Sequence, residues 1–193
     1  MGDYGMTIAS IGSRGLGGAR GFDRAALDFY PTDAALTRAL LNVERFVGDG
    51  IWEPACGDGA MSRILDTFYP VTSTDLGHYG YGRSGVDFLT TTKLRKQNIV
   101  TNPPFKLWLP FAKHALSLKP EKLVLLGRLL LLEGWERSAF FKESGLTRVW
   151  VVGRAKMLPP GAIDKGHSGM ICFAWFVWQR GYGGAPTVHW KRP

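Results

Sequence analysis

Cysteine is scarce in this chain: Cys56 and Cys172 are the only two, and they lie far apart. That excludes a disulfide framework and fits a reducing compartment, so a cytoplasmic location is expected. Metal ligands are not clustered either. His78, His114, His167 and His189 are scattered, no Cys/His group has ligand spacing, and no bound metal is expected. No apolar run reaches the ~18 residues that a membrane span needs. The longest, Leu123 to Leu132, is broken by Gly127 and Arg128, so no membrane partner is expected. Glycines interrupt the apolar stretch that a signal peptide would need at the N-terminus. Internal repeats and an inserted second domain are not visible. Acidic residues are in deficit as well, with 16 Asp and Glu against 24 Lys and Arg and a net charge of +8. This balance favours a polyanionic partner through an attraction that ignores sequence and weakens with salt.

What is present suits one domain. The chain has 193 residues, 45% of them hydrophobic, enough for a substantial core. Residues 1–26 are rich in Gly with interspersed Arg and are expected to form a flexible arm. Residues 27–193 are expected to form a single domain. Thr32 or Asp33 caps a helix whose apolar face is Leu36, Leu40, Val43 and Val47. A strand over 51–56 follows, then a helix buried through Met61, Ile64, Leu65 and Phe68, then a β-branched strand over 71–74. A Gly/Tyr-rich loop spans 77–85, Val86 to Phe88 reads as a short strand, and Lys93 to Lys96 as a short basic helix. Further on, the pattern predicts a strand at 99–101 and a helix with Trp108, Phe111, Ala112, Ala115 and Leu116 on one side. Lys122 to Leu132 reads as a buried strand or a strand running into a turn. A helix over 135–142, a strand over 149–152, a basic loop over 153–169, a strand over 170–178 and a Gly-rich tail complete the chain. Alternating strands and helices predict an α/β, Rossmann-like fold with a largely parallel sheet and a C-terminal antiparallel strand. Most of the seven tryptophans are expected in the core.

Three motifs carry chemistry. Asn102-Pro103-Pro104-Phe105 follows the apolar run Ile99-Val100-Thr101. It reads as a strand ending in a rigid turn lined with hydrogen-bond acceptors. Such a turn suits an exocyclic amino group on a planar ring, whose lone pair is delocalised. The Asn102 side-chain oxygen and the Pro103 carbonyl can each accept an N–H and draw that nitrogen toward tetrahedral geometry. Proline adds no N–H to compete. Phe105 can stack on the flat base. The same tetrapeptide is also a good strand-terminating turn with no further role.

The second motif, Glu53-Pro54-Ala55-Cys56-Gly57-Asp58-Gly59, sits at a strand-to-helix junction, where glycines allow a tight turn and close approach of a ligand. The third is Asp75, at the end of the next strand, where an acid accepts both ribose hydroxyl hydrogens in nucleotide-binding α/β folds. Glu53 and Asp58 lie where a dinucleotide's pyrophosphate would sit. An adenosine ligand with a zwitterionic, phosphate-free tail fits better, and S-adenosylmethionine is such a ligand. Asp87 is open between contacting the cofactor's adenine amino group and capping the segment after it. Phe88 or Leu76 can pack on the adenine ring.

Together these segments resemble the class I S-adenosylmethionine-dependent amino-group methyltransferases, in particular the small DNA adenine-N6 enzymes often carried by phages and prophages. The resemblance covers roughly residues 27–191. It implies that Tyr30, Pro31 and Thr32 lie at the methionine end of the cofactor, with Glu53, Ala55, Cys56 and Gly57 forming the cofactor loop. It further implies Asp75 and Leu76 at the ribose, Asp87 and Phe88 at the adenine, and Asn102, Pro103, Pro104 and Phe105 as the catalytic tetrapeptide, with Asn102 also near the cofactor. Segments 128–134 and 169–178 also resemble small members of this family. The implied partner is nucleic acid, DNA before RNA, with Arg128, Arg154, Lys156 and Lys165 as candidates for phosphate contacts. Larger members carry a separate target-recognition domain; none is expected here, so sequence specificity is expected to be low or to come from loops 77–85 and 154–169 or from the arm. Methylation of RNA adenine, cytosine N4 or a protein glutamine amide uses the same chemistry. An inert cofactor-fold module that only binds nucleic acid is the alternative of another class.

Overall fold

The computed structural model describes residues 30–155, 169 and 171–193. The arm, Lys156 and Lys165 fall outside them. Seven strands form one sheet: β1 (Ile51–Glu53), β2 (Val71–Ser73), β3 (Asn98–Thr101), β4 (Lys122–Arg128), β5 (Leu146–Ala155), β6 (Ile171–Gln179) and β7 (Thr187–Trp190). Their spatial order is β2-β1-β3-β4-β6-β5-β7. The first four pair in parallel, and β6 is antiparallel to β4 and β5. Helices α1 (Ala34–Val43), α2 (Ser62–Leu65), α3 (Trp108–Ser117) and α4 (Trp135–Glu143) accompany it. This is the Rossmann-like α/β fold expected from the alternation of elements.

Strand β4 shows why its sequence is apolar without a break. Val124 and Leu126 pack on one face with Leu36, Leu40 and Trp175, while Leu123 and Leu125 pack on the other with Trp52, Trp108 and Phe176. A parallel strand covered on both faces must be apolar on both. Helix α1 begins with Asp33 accepting the Ala35 N–H at 2.9 Å. The Trp175 indole N–H donates to the Leu36 carbonyl at 3.1 Å and fixes the helix on the sheet.

Several expectations are corrected. Helix α1 stops at Val43 because Glu44 turns extended, and Val47 is exposed, not on the helix face. Glu44 is instead buried as the hub of an ionic cluster, accepting from Lys122, Arg148 and the Trp150 indole N–H. Helix α2 is a single turn, so Phe68 lies outside it and is exposed. Val86 to Phe88 is not a strand: Asp87 caps a 3-10 turn over Phe88–Thr90. Lys93 to Lys96 is not helical. Strand β5 runs on to Ala155 through a register shift between Val151 and Gly153, so residues 153–155, expected in a loop, are strand. The Gly-rich tail contributes β7, parallel to β5. Trp52, Trp108, Trp175 and Trp178 are in the core as expected, but Trp135 and Trp190 are exposed.

Candidate active site

A cavity of about 530 Å³ opens at the carboxyl ends of β1, β2 and β3. The chain runs outward from β1 to β2 and then crosses back to β3 on β1's other side. Ligands of open α/β sheets bind at such a switch point. Tyr30, Pro31, Thr32, Glu53, Ala55, Cys56, Asp75, Leu76, Asp87, Phe88, Asn102, Pro103, Pro104 and Phe105 all line it. Gly57 contributes from behind: its N–H donates to Asp75 Oδ2 at 2.8 Å.

Asp75 is held at both oxygens, since Gly77 N–H donates to Oδ1 at 2.8 Å. The carboxylate orientation is thus fixed jointly by Gly57 of the β1 loop and Gly77 of the loop after β2, and each oxygen retains capacity for one more donor. Gly57 has φ +51°, which glycine adopts without strain. Gly59, at φ +83°, makes the tight turn expected of it and has a second role. A Cβ there would stand 2.4 Å from the Tyr81 ring, so its bareness admits Tyr81, which Arg63 covers at 4.4 Å. Loop 77–85 is therefore folded onto the β1 loop, and its Tyr79 lines the cavity. Sequence reasoning treated this loop as a reader of nucleic acid and missed Tyr79.

Glu53 ends β1, is 2% exposed, and accepts from the Ser62 hydroxyl. Burial pushes its carboxyl up to about 8; the Ser62 bond opposes this and the Asp75 charge adds to it. A cation entering the cavity favours the ionised form. Cys56 is pushed up to about 12, chiefly by burial and then by Glu53 and Asp75. Burial thus favours its thiol over the thiolate that a nucleophile needs. Asp87 serves as the cap of the turn that follows it, accepting the Leu89 N–H at 2.9 Å, while also lining the cavity.

On the other side of the cavity, Asn102 follows the last residue of β3. Its Nδ2 donates to Thr32 Oγ1 at 3.1 Å, and its Oδ1 is buried with no hydrogen-bond partner. An acceptor left this way costs about 1–3 kcal/mol. It is a cost that a site tolerates when a ligand is to supply the donor. Pro104 caps a 3-10 turn over Phe105–Leu107 through the bond from Leu107 N–H at 2.9 Å. Phe105 is half-buried, with Tyr30 at 5.9 Å and Phe173 at 6.1 Å between ring centroids. Arg128 is exposed, and its guanidinium carbon lies 4.3 Å from the Phe105 ring centroid. The expected phosphate contact thus stands on the aromatic ring beside the cavity. Arg154 is exposed on β5, paired in register with Cys172. Leu89, Lys106 and Leu107 also line the cavity and were not singled out from sequence, since only their place at loop junctions marks them; Met61 and Phe111, expected on buried helix faces, line it as well.

No family model matches the sequence, and no curated protein matches it. Solved structures do match in fold. The 23S rRNA methyltransferase ErmE aligns with a TM-score of 0.56 and 14% identity, over 79% of this chain and 70% of its own. The methyltransferase subunit of a type I restriction-modification system from Streptococcus thermophilus aligns at 0.51 and 12%, over 77% of this chain and 43% of its own. The tRNA (uracil-54, C5)-methyltransferase of Pyrococcus abyssi, solved with S-adenosyl-L-homocysteine, aligns at 0.52 and 14%, over 77% and 40%. The chain thus has the Rossmann-like fold of these methyltransferases. Among the described residues, no helix is long and apolar enough to cross a membrane.

Proposed function

We propose that the protein transfers a methyl group from S-adenosylmethionine to the exocyclic N6 of adenine in DNA. The observation that carries this is the buried, unpartnered Asn102 Oδ1 in the cavity that also holds Asp75. When bound, the cofactor supplies a methyl group on an electrophilic sulfonium. Asp75 would accept the ribose hydroxyls from the orientation that the Gly57 and Gly77 N–H groups fix. Glu53, buried at the end of β1, would be the counter-charge for the cofactor's cationic end. Tyr79 and Phe88 wall the nucleoside. The residues present, with Glu53, Asp58 and Asp75 among the lining, therefore suit this ligand in sign of charge.

Asn102 Oδ1 and the Pro103 carbonyl each accept an N–H of the target amine, which localises its lone pair toward the methyl group. Thr32 prepares this arrangement. By accepting from Nδ2, its hydroxyl leaves the amide oxygen to the target. No base needs to wait beside the amine, because its proton becomes acidic only as the new bond forms. The target base leaves its stack to reach the cavity, at a cost of about a few kcal/mol. Stacking on Phe105 returns roughly 1–3 kcal/mol. A base on that ring replaces the Arg128 guanidinium, which is then free to meet phosphate.

The test is methyl transfer to duplex DNA by the intact chain and by Asn102→Ala. The account expects N6-methyladenine from the first and near-complete loss in the second with cofactor binding retained. Near-normal turnover of Asn102→Ala removes the proposed role. The same chemistry on RNA is the second reading, since two of the structural neighbours named above are RNA methyltransferases. An RNA substrate run in parallel separates the two.

A further inference from the structure

The 3-10 turn after β4 leaves large apolar side chains in solvent at the sheet edge where the cavity opens. It spans Leu129–Glu133. Leu129 and Leu131 pack against the core around Trp108. Leu130 is 59% exposed, Leu132 39%, and Trp135 just beyond them 88%. Leu107, on the segment that leaves β3, is 41% exposed. So four of the ten exposed large hydrophobic residues among the described ones gather on the two segments that leave β3 and β4 at the cavity end.

The turn is held rigidly. A Cβ on Gly127 would stand 2.6 Å from Leu131 Cδ1 and 2.7 Å from Trp108 Nε1, so the bare glycine lets Leu131 seat. Arg137 donates from Nε to the Leu131 carbonyl at 2.7 Å. Arg128 at its start reaches the Phe105 ring, so the turn is tied to the target side of the cavity.

We infer that this turn is the wedge that enters a nucleic-acid duplex where the target base has been withdrawn, with Leu130 and Trp135 as the inserting side chains. The inference rests on the proposed reading of the cavity. Withdrawing a base leaves an apolar gap between its neighbours, and proteins fill such gaps with leucines and other apolar side chains. A rigid turn offers them without an ordering cost. Tryptophan presents a flat face on which an orphaned base can stack. Arg128, at the start of the turn, and the exposed Lys106, on the segment that leaves β3, suit the phosphates that flank a base step, while the exposed Glu133 and Glu136 on either side of Trp135 do not serve that role. The same side chains leave a target that is already single-stranded with nothing to be wedged from.

The test compares Leu130→Ala and Trp135→Ala with the parent chain on a duplex and on a single strand of the same sequence. Duplex kcat/KM is expected to fall about tenfold, the order of one lost base–aromatic stack, with single-strand kcat/KM nearly unchanged. With 2-aminopurine at the target position, the fluorescence rise on binding duplex should shrink in both variants. Both side chains are exposed, so melting temperatures should match the parent. Unchanged duplex activity, or equal loss on both substrates, overturns the wedge. So does a dimer or larger assembly of the parent that these variants dissolve, because the patch then serves a protein contact. A parent chain that methylates no nucleic acid refutes the functional reading itself. A parent active on both substrates with indifferent variants refutes only the wedge.

Discussion

The chemistry assigned to Asn102 depends on one amide being held the right way round, and Thr32 is what holds it. Thr32→Val, equal in shape but without an acceptor, should lower kcat by about tenfold, the order of one charge-free hydrogen bond in a site. Thr32→Ser should restore it, and a steady-state comparison of the three proteins checks this. Loss of activity in the Ser variant equal to that in Val would contradict the positioning role. Glu53 gives a pH signature. Its folded-state value, about 8, lies above the ordinary carboxylate value of 4.5. The proton it holds therefore stabilises the folded protein fully below about 4.5, and that contribution is lost as pH rises through about 8. Binding a cation should expel the proton. Titration calorimetry of the cofactor near pH 7, in buffers of different ionisation enthalpy, should show proton release that Glu53→Gln abolishes. At this scale the tetrapeptide and Asp75 were legible in the sequence, because local backbone chemistry places them. The Thr32–Asn102 pair was not, because only the folded chain brings together residues 70 positions apart.

Helix α1 joins the site to the far end of the sheet. It starts just after Thr32 at the cavity and ends at Glu44, which is 1% exposed and binds Lys122 at the amino end of β4, with Arg148 and Trp150 of β5. Burial alone would raise the Glu44 carboxyl, but the bonds from Arg148, Lys122 and Trp150 outweigh it and hold it below its usual range. The stability this contributes is present above the ordinary carboxylate value and is lost as pH falls through the lowered one. Glu44→Gln strands two cations and should cost about 3–5 kcal/mol at neutral pH, the range for a broken buried ion pair. Its acid unfolding should also be less steep. Denaturant melts at pH 7 and pH 4 check both expectations. Apolar periodicity extended α1 to Val47 because it cannot see that a buried partner recruits Glu44 out of the helix. Likewise β7 was invisible, since its side chains are all exposed and only β5's free edge selects it.

At the scale of the molecule, the order of strands and helices was enough to reach the fold, because strands buried on both faces write themselves as apolar runs. What the order could not say is that loop 77–85 folds onto the β1 loop or that the segment after β4 presents leucines to solvent. Both depend on bare glycines, Gly59 and Gly127, whose meaning lies in what packs against them. The net charge of +8 predicts that nucleic-acid affinity falls steeply with salt while cofactor affinity does not. Binding measured at about 50 and 200 mM salt checks this. The most direct test of the whole account is a labelled-methyl assay with duplex DNA, single-stranded DNA, RNA and protein as acceptors, followed by nucleoside mass spectrometry. The account predicts label on DNA as N6-methyladenine, lost with Asn102→Ala. Label confined to cytosine, to RNA or to protein would contradict it.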